Sequence, residues 1–120
     1  MRSEFSAFQD LELRLVRFVV NGREIAIPAR ATITITFQRG GQISGHSTVN
    51  NYAGVFRVMP DGKITVQLTA ATLMAGPPEL MQLEREYFEA LPHVTHISIK
   101  PDRIILEHEK SLLEFAKSRS

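Results

Sequence analysis

The chain is organised around the segment Gly45-His46-Ser47-Thr48-Val49-Asn50-Asn51-Tyr52-Ala53-Gly54. It is the longest polar, turn-rich run in the middle of the sequence, and apolar β-like segments flank it at Ile33–Phe37 and Val55–Met59. Asparagine tolerates left-handed backbone, and its side chain hydrogen-bonds nearby main chain. The pattern therefore predicts a polar loop between two strands, in which Asn50 holds the backbone together.

Alternation of apolar and polar residues predicts a series of short strands on both sides of this loop. The predicted strands are Leu11–Val20, Arg23–Ile27, Thr32–Phe37, Gln42–Gly45, Ala53–Met59, Ile64–Leu68, Val94–Ile99, Arg103–Glu107 and Leu112–Phe115. Asn21-Gly22 and Pro60-Asp61-Gly62 are tight-turn sequences, because their residues favour the backbone angles that turns require. Short turns join antiparallel strands, so parallel crossovers are not expected.

One helix is predicted, beginning at Gly76-Pro77-Pro78-Glu79 and ending at Pro92. Its apolar stripe consists of Leu80, Leu83, Tyr87 and Leu91. The expected fold is mainly β with one α-helix: a small antiparallel, strongly twisted barrel-like sheet or sandwich, with the helix packed across it. The methionines Met59, Met74 and Met81 are interpreted as core residues.

Composition restricts the possible functions. The 120 residues carry a formal net charge of +1, and their basic residues are scattered, so nucleic-acid binding is not expected. The absence of cysteine excludes thiolate chemistry and Cys-ligated zinc. No apolar run is long enough for a transmembrane segment. Residues 1–9 are expected to be a disordered or vector-derived leader, 10–117 a single domain and 118–120 a tail.

An ordered set of short motifs resembles the META domain, the family of the bacterial heat-shock protein HslJ. The matching residues are Asn21-Gly22, Phe37, Ser44-Gly45, Asn50, Gly54, Thr72-x-Met74-Ala75 and Glu84. They occur in the family's order and span Leu11 to Phe115. The resemblance implies a non-enzymatic, stress- or virulence-associated protein, in the bacterial periplasm or as an outer-membrane-anchored lipoprotein whose signal has been removed, with the cytoplasm as the alternative.

The resemblance also implies where a disulfide would lie in relatives. The family's two cysteine positions fall on Val49 and Gly76. In members that carry both cysteines, the pair can join the central loop to the start of the helix. Here packing of Val49 is expected to replace part of that bridge.

Three groups of side chains are candidates for chemistry. Ser47 lies in a Gly-His-Ser sequence, but a nucleophile elbow requires a following helix, whereas a strand is predicted. His93, His96 and His108 do not show metal-ligand spacing, since residues three apart on a strand point to opposite faces. Glu84 is expected to hydrogen-bond the Thr72–Ala75 segment, a structural role.

The resemblance implies a binding or scaffolding surface formed by residues 45–54 and 72–78, because residues that match the family's motifs fall in those two segments. The residues assigned to it are Ser44, Gly45, Asn50, Asn51, Tyr52, Gly54, Thr72, Met74, Ala75 and Glu84. An unidentified protein or an apolar ligand is the expected partner, with no cofactor, no metal and a monomeric state. The alternatives are a small barrel that carries a lipid or acyl chain beneath the helix, and a hydrolase that uses Ser47.

Overall fold

The computed structural model describes residues 2–118. Its helices are α1 (Arg2–Ser6) and α2 (Pro78–Ala90), and a 3-10 turn at Leu91–His93 follows α2. The first strands are β1 (Glu12–Val20), β2 (Arg23–Glu24), β3 (Ile33–Gln38), β4 (Gln42–Ser47) and β5 (Asn51–Val58). The remaining strands are β6 (Ile64–Ala71), β7 (His96–Ile99), β8 (Arg103–His108) and β9 (Ser111–Lys117).

The strands form one antiparallel sheet in the order β6-β5-β4-β3-β1-β9-β8-β7, with β2 paired to the end of β1. The sheet curls into a half-barrel, and its two edge strands meet at a single bridge between Lys63 and His96. There the Ile64 N–H donates to the Thr95 carbonyl at 3.0 Å, and the Ile97 N–H donates to the Gly62 carbonyl at 2.9 Å. The predicted fold class is confirmed.

The core lies on the concave face of the sheet, beneath α2. Leu80, Leu83 and Tyr87 point inward from α2, and Leu91 follows them at the start of the 3-10 turn. Their spacing produces a single buried stripe because residues three and four apart share a helix face. Pro92 lies inside the 3-10 turn, so the α-helix ends two residues before it.

The segment 45–54 is not the loop that its polarity predicts. β4 continues through Ser47 and β5 begins at Asn51, which leaves only a three-residue turn, residues 48–50, with Thr48 at φ 74°. Two glycines permit close packing here. A Cβ on Gly45 would collide with the Thr34 carbonyl and the Tyr52 hydroxyl, and one on Gly54 would collide with the Gln67 carbonyl. The polar side chains therefore belong to a hairpin that packs tightly against its neighbours.

The N-terminal segment also differs from the expected disordered leader. Phe5 and Phe8 are buried in the core, and the Phe5 ring lies 5.5 Å from that of Phe37 and 5.8 Å from that of Phe56. The Asp10 N–H donates to the Phe37 carbonyl at 2.8 Å and fixes the exit of the segment. Edge-to-face aromatic contacts stabilise it beyond the burial of area. Five helical residues are too few to display a period in the sequence.

Replacement of Phe8 by alanine tests whether this segment belongs to the folded unit. Phe8 is buried, so Phe8→Ala should lower the free energy of unfolding in urea by about 3 kcal/mol. Leu11→Ala is the matched control, because Leu11 is exposed and its truncation should change stability by less than about 0.5 kcal/mol. Equal stability of Phe8→Ala and the wild type would contradict the packing described.

Candidate functional site

The side-chain amide of Asn50 connects three parts of the fold. Its Oδ1 accepts hydrogen bonds from the Thr72 hydroxyl at 2.8 Å and the Met74 N–H at 2.6 Å. Its Nδ2 donates to Glu84 Oε2 at 2.7 Å and to the Met74 carbonyl at 3.2 Å. A primary amide offers two acceptor positions and two donors, and here all four are used. We call Ser47, Asn50, Thr72, Met74 and Glu84 the Asn50 clasp.

Glu84 brings a carboxylate from α2 into the buried part of the clasp, where it is 5% exposed. Its Oε1 accepts hydrogen bonds from the Asn50 N–H at 2.9 Å and the Ser47 hydroxyl at 2.6 Å. Neutral donors thus satisfy a buried carboxylate that would otherwise be costly to desolvate. The expectation that Glu84 bonds the Thr72–Ala75 segment directly is wrong, because Asn50 lies between them and bonds both.

Below the clasp, two tyrosine hydroxyls meet inside the core. The Tyr52 hydroxyl donates to the Thr34 carbonyl at 2.7 Å, so the Tyr87 hydroxyl, 2.5 Å away, donates to Tyr52. Gly45 provides the space for this bond, because any side chain there would overlap the Tyr52 ring. Burial raises the pKa of Tyr52 well above its usual range, against the opposing effect of its bond with Tyr87. Burial also raises the pKa of Tyr87, and the proximity of Tyr52 raises it further.

Next to the clasp, the segment 72–77 presents apolar side chains to solvent; we call it the Leu73 loop. Leu73 is 97% exposed and Met74 is 53% exposed, so Met74 is not a core residue. The backbone is nevertheless held on both sides of Leu73. The Thr72 N–H donates to the Asn51 carbonyl at 3.0 Å, and Met74 is bonded by Asn50 through both its N–H and its carbonyl.

The structure brings some of the predicted site residues together and separates others. Asn50, Thr72, Met74 and Glu84 form the clasp, and Gly45 and Tyr52 lie directly beneath it. Asn51 is exposed and its Oδ1 lies 2.9 Å from His46 Nδ1, and Ala75 is exposed in the Leu73 loop. Ser44 accepts a bond from the Gln38 amide at 3.2 Å outside the clasp, and Gly54 lies at a register shift between β5 and β6.

Three residues of the site are not singled out for it by the sequence: Ser47, Leu73 and Tyr87. Ser47 and Leu73 lie within the predicted segments 45–54 and 72–78, but Ser47 is a candidate only as a nucleophile and Tyr87 only as part of the helix stripe. Leu73 carries no periodic signal, since small apolar residues surround it. Its exposure is a consequence of how Asn50 holds the neighbouring backbone, which local sequence does not reveal.

Ser47 is fully buried, and its hydrogen-bond partners are Glu84 and the Asn50 carbonyl. No histidine within residues 2–118 is bonded to it, and its buried hydroxyl is enclosed by these partners, whereas a nucleophilic serine must be accessible to its substrate. Among the same residues, no group of three or more His, Cys, Asp or Glu is arranged to hold a metal ion. His93 instead has its Nδ1 2.7 Å from the Glu89 carbonyl oxygen.

Val49 and Gly76 lie against each other at the edge of the clasp. A Cβ built on Gly76 would lie 3.6 Å from the Val49 Cβ and 2.9 Å from its Cγ2. Disulfide-bonded cysteines have Cβ atoms about 3.5–4.5 Å apart. The two positions therefore have the separation that a disulfide requires, and in this chain a valine side chain fills the space above a glycine.

A family model of the META domain matches residues 7–120. The chain belongs to the META domain family. The META domain is not a known enzyme family. No curated protein matches this META domain. Within residues 2–118, no helix is both long and apolar enough to cross a membrane.

Two solved structures share the fold of this META domain. An NMR structure of a protein from Burkholderia xenovorans has a TM-score of 0.78 and 24% identity, covering 100% of this chain and 90% of that one. A crystal structure of a DUF4847 family protein from Bacteroides vulgatus ATCC 8482 has a TM-score of 0.72 and 15% identity, covering 96% of this chain and 97% of that one. At these identities the likeness concerns the fold.

Introduction of a disulfide tests the contact between Val49 and Gly76. The Val49→Cys/Gly76→Cys double variant should oxidise readily and, relative to its reduced form, gain about 3 kcal/mol of unfolding free energy, because the bridge constrains the unfolded chain. Thiol titration and urea denaturation of both forms measure this. Free thiols that persist under oxidising conditions would show that the two positions are not adjacent.

Alkaline titration tests the buried tyrosine pair, since the chain has two tyrosines and no tryptophan. Both pKa values are raised in the folded state, so the pair stabilises the fold below the unfolded pKa of about 10, and this contribution is lost as pH rises above it. Phenolate absorbance should therefore rise only when the far-ultraviolet circular dichroism is lost. In concentrated guanidinium chloride the same chain should titrate near pH 10. Phenolate formation near that pH in a chain with native dichroism would contradict the burial.

Proposed function

We propose that this META domain is a non-enzymatic binding or scaffolding protein, and that the Leu73 loop is its docking surface. The observation that supports this most strongly is a leucine that is 97% exposed although the residues on both sides of it are fixed by hydrogen bonds. Exposed loops normally carry polar residues. A leucine held outward on a fixed backbone is the kind of anchor that fills a pocket on a partner protein.

The clasp explains why such an anchor would be effective. Binding costs less when the contacting segment is already ordered, since little conformational entropy remains to be lost. Asn50 bonds Thr72 and Met74 and leaves only the Leu73 side chain to be ordered. In this proposal Asn50 and Glu84 position the surface from beneath, and the partner does not touch them.

The surroundings of Leu73 indicate the chemistry of the partner. Residues 64–78, which comprise β6 and the Leu73 loop, contain no charged side chain. β6 is an edge strand of the described sheet. Ala70 and Ala71 are exposed at its end, and Ala75 is exposed within the Leu73 loop. Edge strands that avoid association usually carry charges. The expected partner is a protein with a neutral, apolar pocket for Leu73, next to backbone that can pair with β6.

A stress- or virulence-associated role in the bacterial cell envelope is part of the same proposal. Its support is the resemblance of the motifs around Asn50, Thr72 and Glu84 to the family of HslJ. A scaffold needs no catalytic group, and the one serine that suggested hydrolysis is enclosed by Glu84 and Asn50.

Site-specific photocrosslinking tests the docking surface. With p-benzoylphenylalanine in place of Ala75, irradiation in an extract of the source cells should give one discrete adduct, because Ala75 is exposed beside Leu73. Excess wild-type chain should suppress the adduct, and Leu73→Asp should do so at least about tenfold less effectively, as expected for removal of an anchor residue.

The matched control is Leu11→Asp, another exposed leucine, which should compete like the wild type. Circular dichroism of each variant establishes that it is folded. Asn50→Ala should weaken competition although Leu73 is still present, since the loop then loses the hydrogen bonds that hold its backbone. Equal competition by Leu73→Asp and the wild type, or no adduct, would overturn the proposal.

A further inference from the structure

An open pocket of about 660 Å³ lies at the end of β5 opposite the Asn50 clasp. Phe5 of α1 forms one wall, and Phe56, Val58 and Met59 form another. The Phe56 ring packs edge-to-face on Phe5 and, at 5.0 Å, on Phe37, which gives the pocket a rigid aromatic base. Pockets of a few hundred Å³ with mainly apolar walls are typical of small-molecule sites.

This pocket is separate from the space beneath α2, which is where the carrier alternative places an acyl chain. The space beneath α2 is filled by Leu83, Tyr87 and Leu91, which are buried. Phe5 lies outside the residues that match the META family model, so one wall of the pocket comes from a segment additional to that match.

The polar residues of the pocket indicate which head group would fit. Gln9 lies in its lining, and Arg57 is the single charged residue among the described lining residues. Within residues 2–118, the Arg57 side chain has no ion pair or hydrogen bond, which is also true of Arg14 outside the pocket, whereas Arg17, Arg23, Arg30, Arg39 and Arg103 each pair with a carboxylate. A guanidinium without a partner pairs well with a carboxylate.

We propose that this pocket binds a small amphipathic carboxylate, an unbranched fatty acid of medium length. Phe56 and Val58 face the pocket and contact the apolar chain. Arg57 lies between them in the lining and is exposed to solvent, so its guanidinium meets the carboxylate at the rim of the pocket. α1 completes the site by placing Phe5 against the acyl chain of the ligand.

Calorimetric titration of the full-length chain with decanoate tests the site. Saturable binding is expected, and Arg57→Gln should weaken it about tenfold. Arg14→Gln is the matched control, because Arg14 is an exposed arginine that does not line the pocket, and it should bind decanoate like the wild type. Decanol should bind more weakly than decanoate and should be insensitive to Arg57→Gln. Decyltrimethylammonium should bind least.

Amide chemical shifts locate the bound molecule. Gly41 and Met59, which line the pocket, should shift on addition of decanoate, and Gly76 in the Leu73 loop should not. Leu73→Asp should bind decanoate like the wild type, so failure of the proposed docking surface would leave this site unaffected. No saturation below about 1 mM, shifts centred on the Leu73 loop, or equal effects of Arg57→Gln and Arg14→Gln would overturn the proposal.

Discussion

The site depends on one side-chain amide. Asn50 uses both donors and both acceptors of that amide, and the residues it bonds come from α2 and from the segment after β6. Burying an amide or a carboxylate without a hydrogen-bond partner costs free energy. Because displacement of either Asn50 or Glu84 would leave the other unpaired, each side chain holds the other in place. The hydrogen bonds of these two side chains therefore connect the turn at residues 48–50, the Leu73 loop and α2.

Two attachments join the turn at residues 48–50 to the Leu73 loop. One is polar, the Asn50 clasp, and the other is the contact of Val49 with Gly76. The resemblance to the META family implies that relatives can place cysteines at the latter two positions. In this chain the polar attachment holds the same two segments, and the Val49 side chain fills the space above Gly76.

Periodic patterns predicted the parts of the structure that periodicity controls. The inward residues Ile33, Ile35 and Phe37 of β3, and the stripe of α2, follow directly from periods of two and 3.6 residues. Asn50, Thr72, Met74 and Glu84 were assigned to one surface from the family's motifs. The hydrogen bonds that place Asn50 at the centre of these residues were not predicted. Its bonds join residues 22 to 34 positions apart, and such contacts leave no local signal. The polarity of residues 45–54 predicts a loop. These residues form a hairpin instead, because buried hydrogen bonds satisfy polar side chains such as those of Ser47 and Asn50.

The strand order has a consequence for how the chain folds. β1 lies between β3 and β9, and its register pairs Leu13 with Lys117, so the first strand of the sheet depends on the last one described. Contacts so distant in sequence form late, because the entropy of closing a long loop is lost before they contribute. The β3–β6 meander and α2 can associate earlier, through contacts that are closer in sequence. Until β9 is in place, the edge of β1 that it covers is exposed and open to association with other chains.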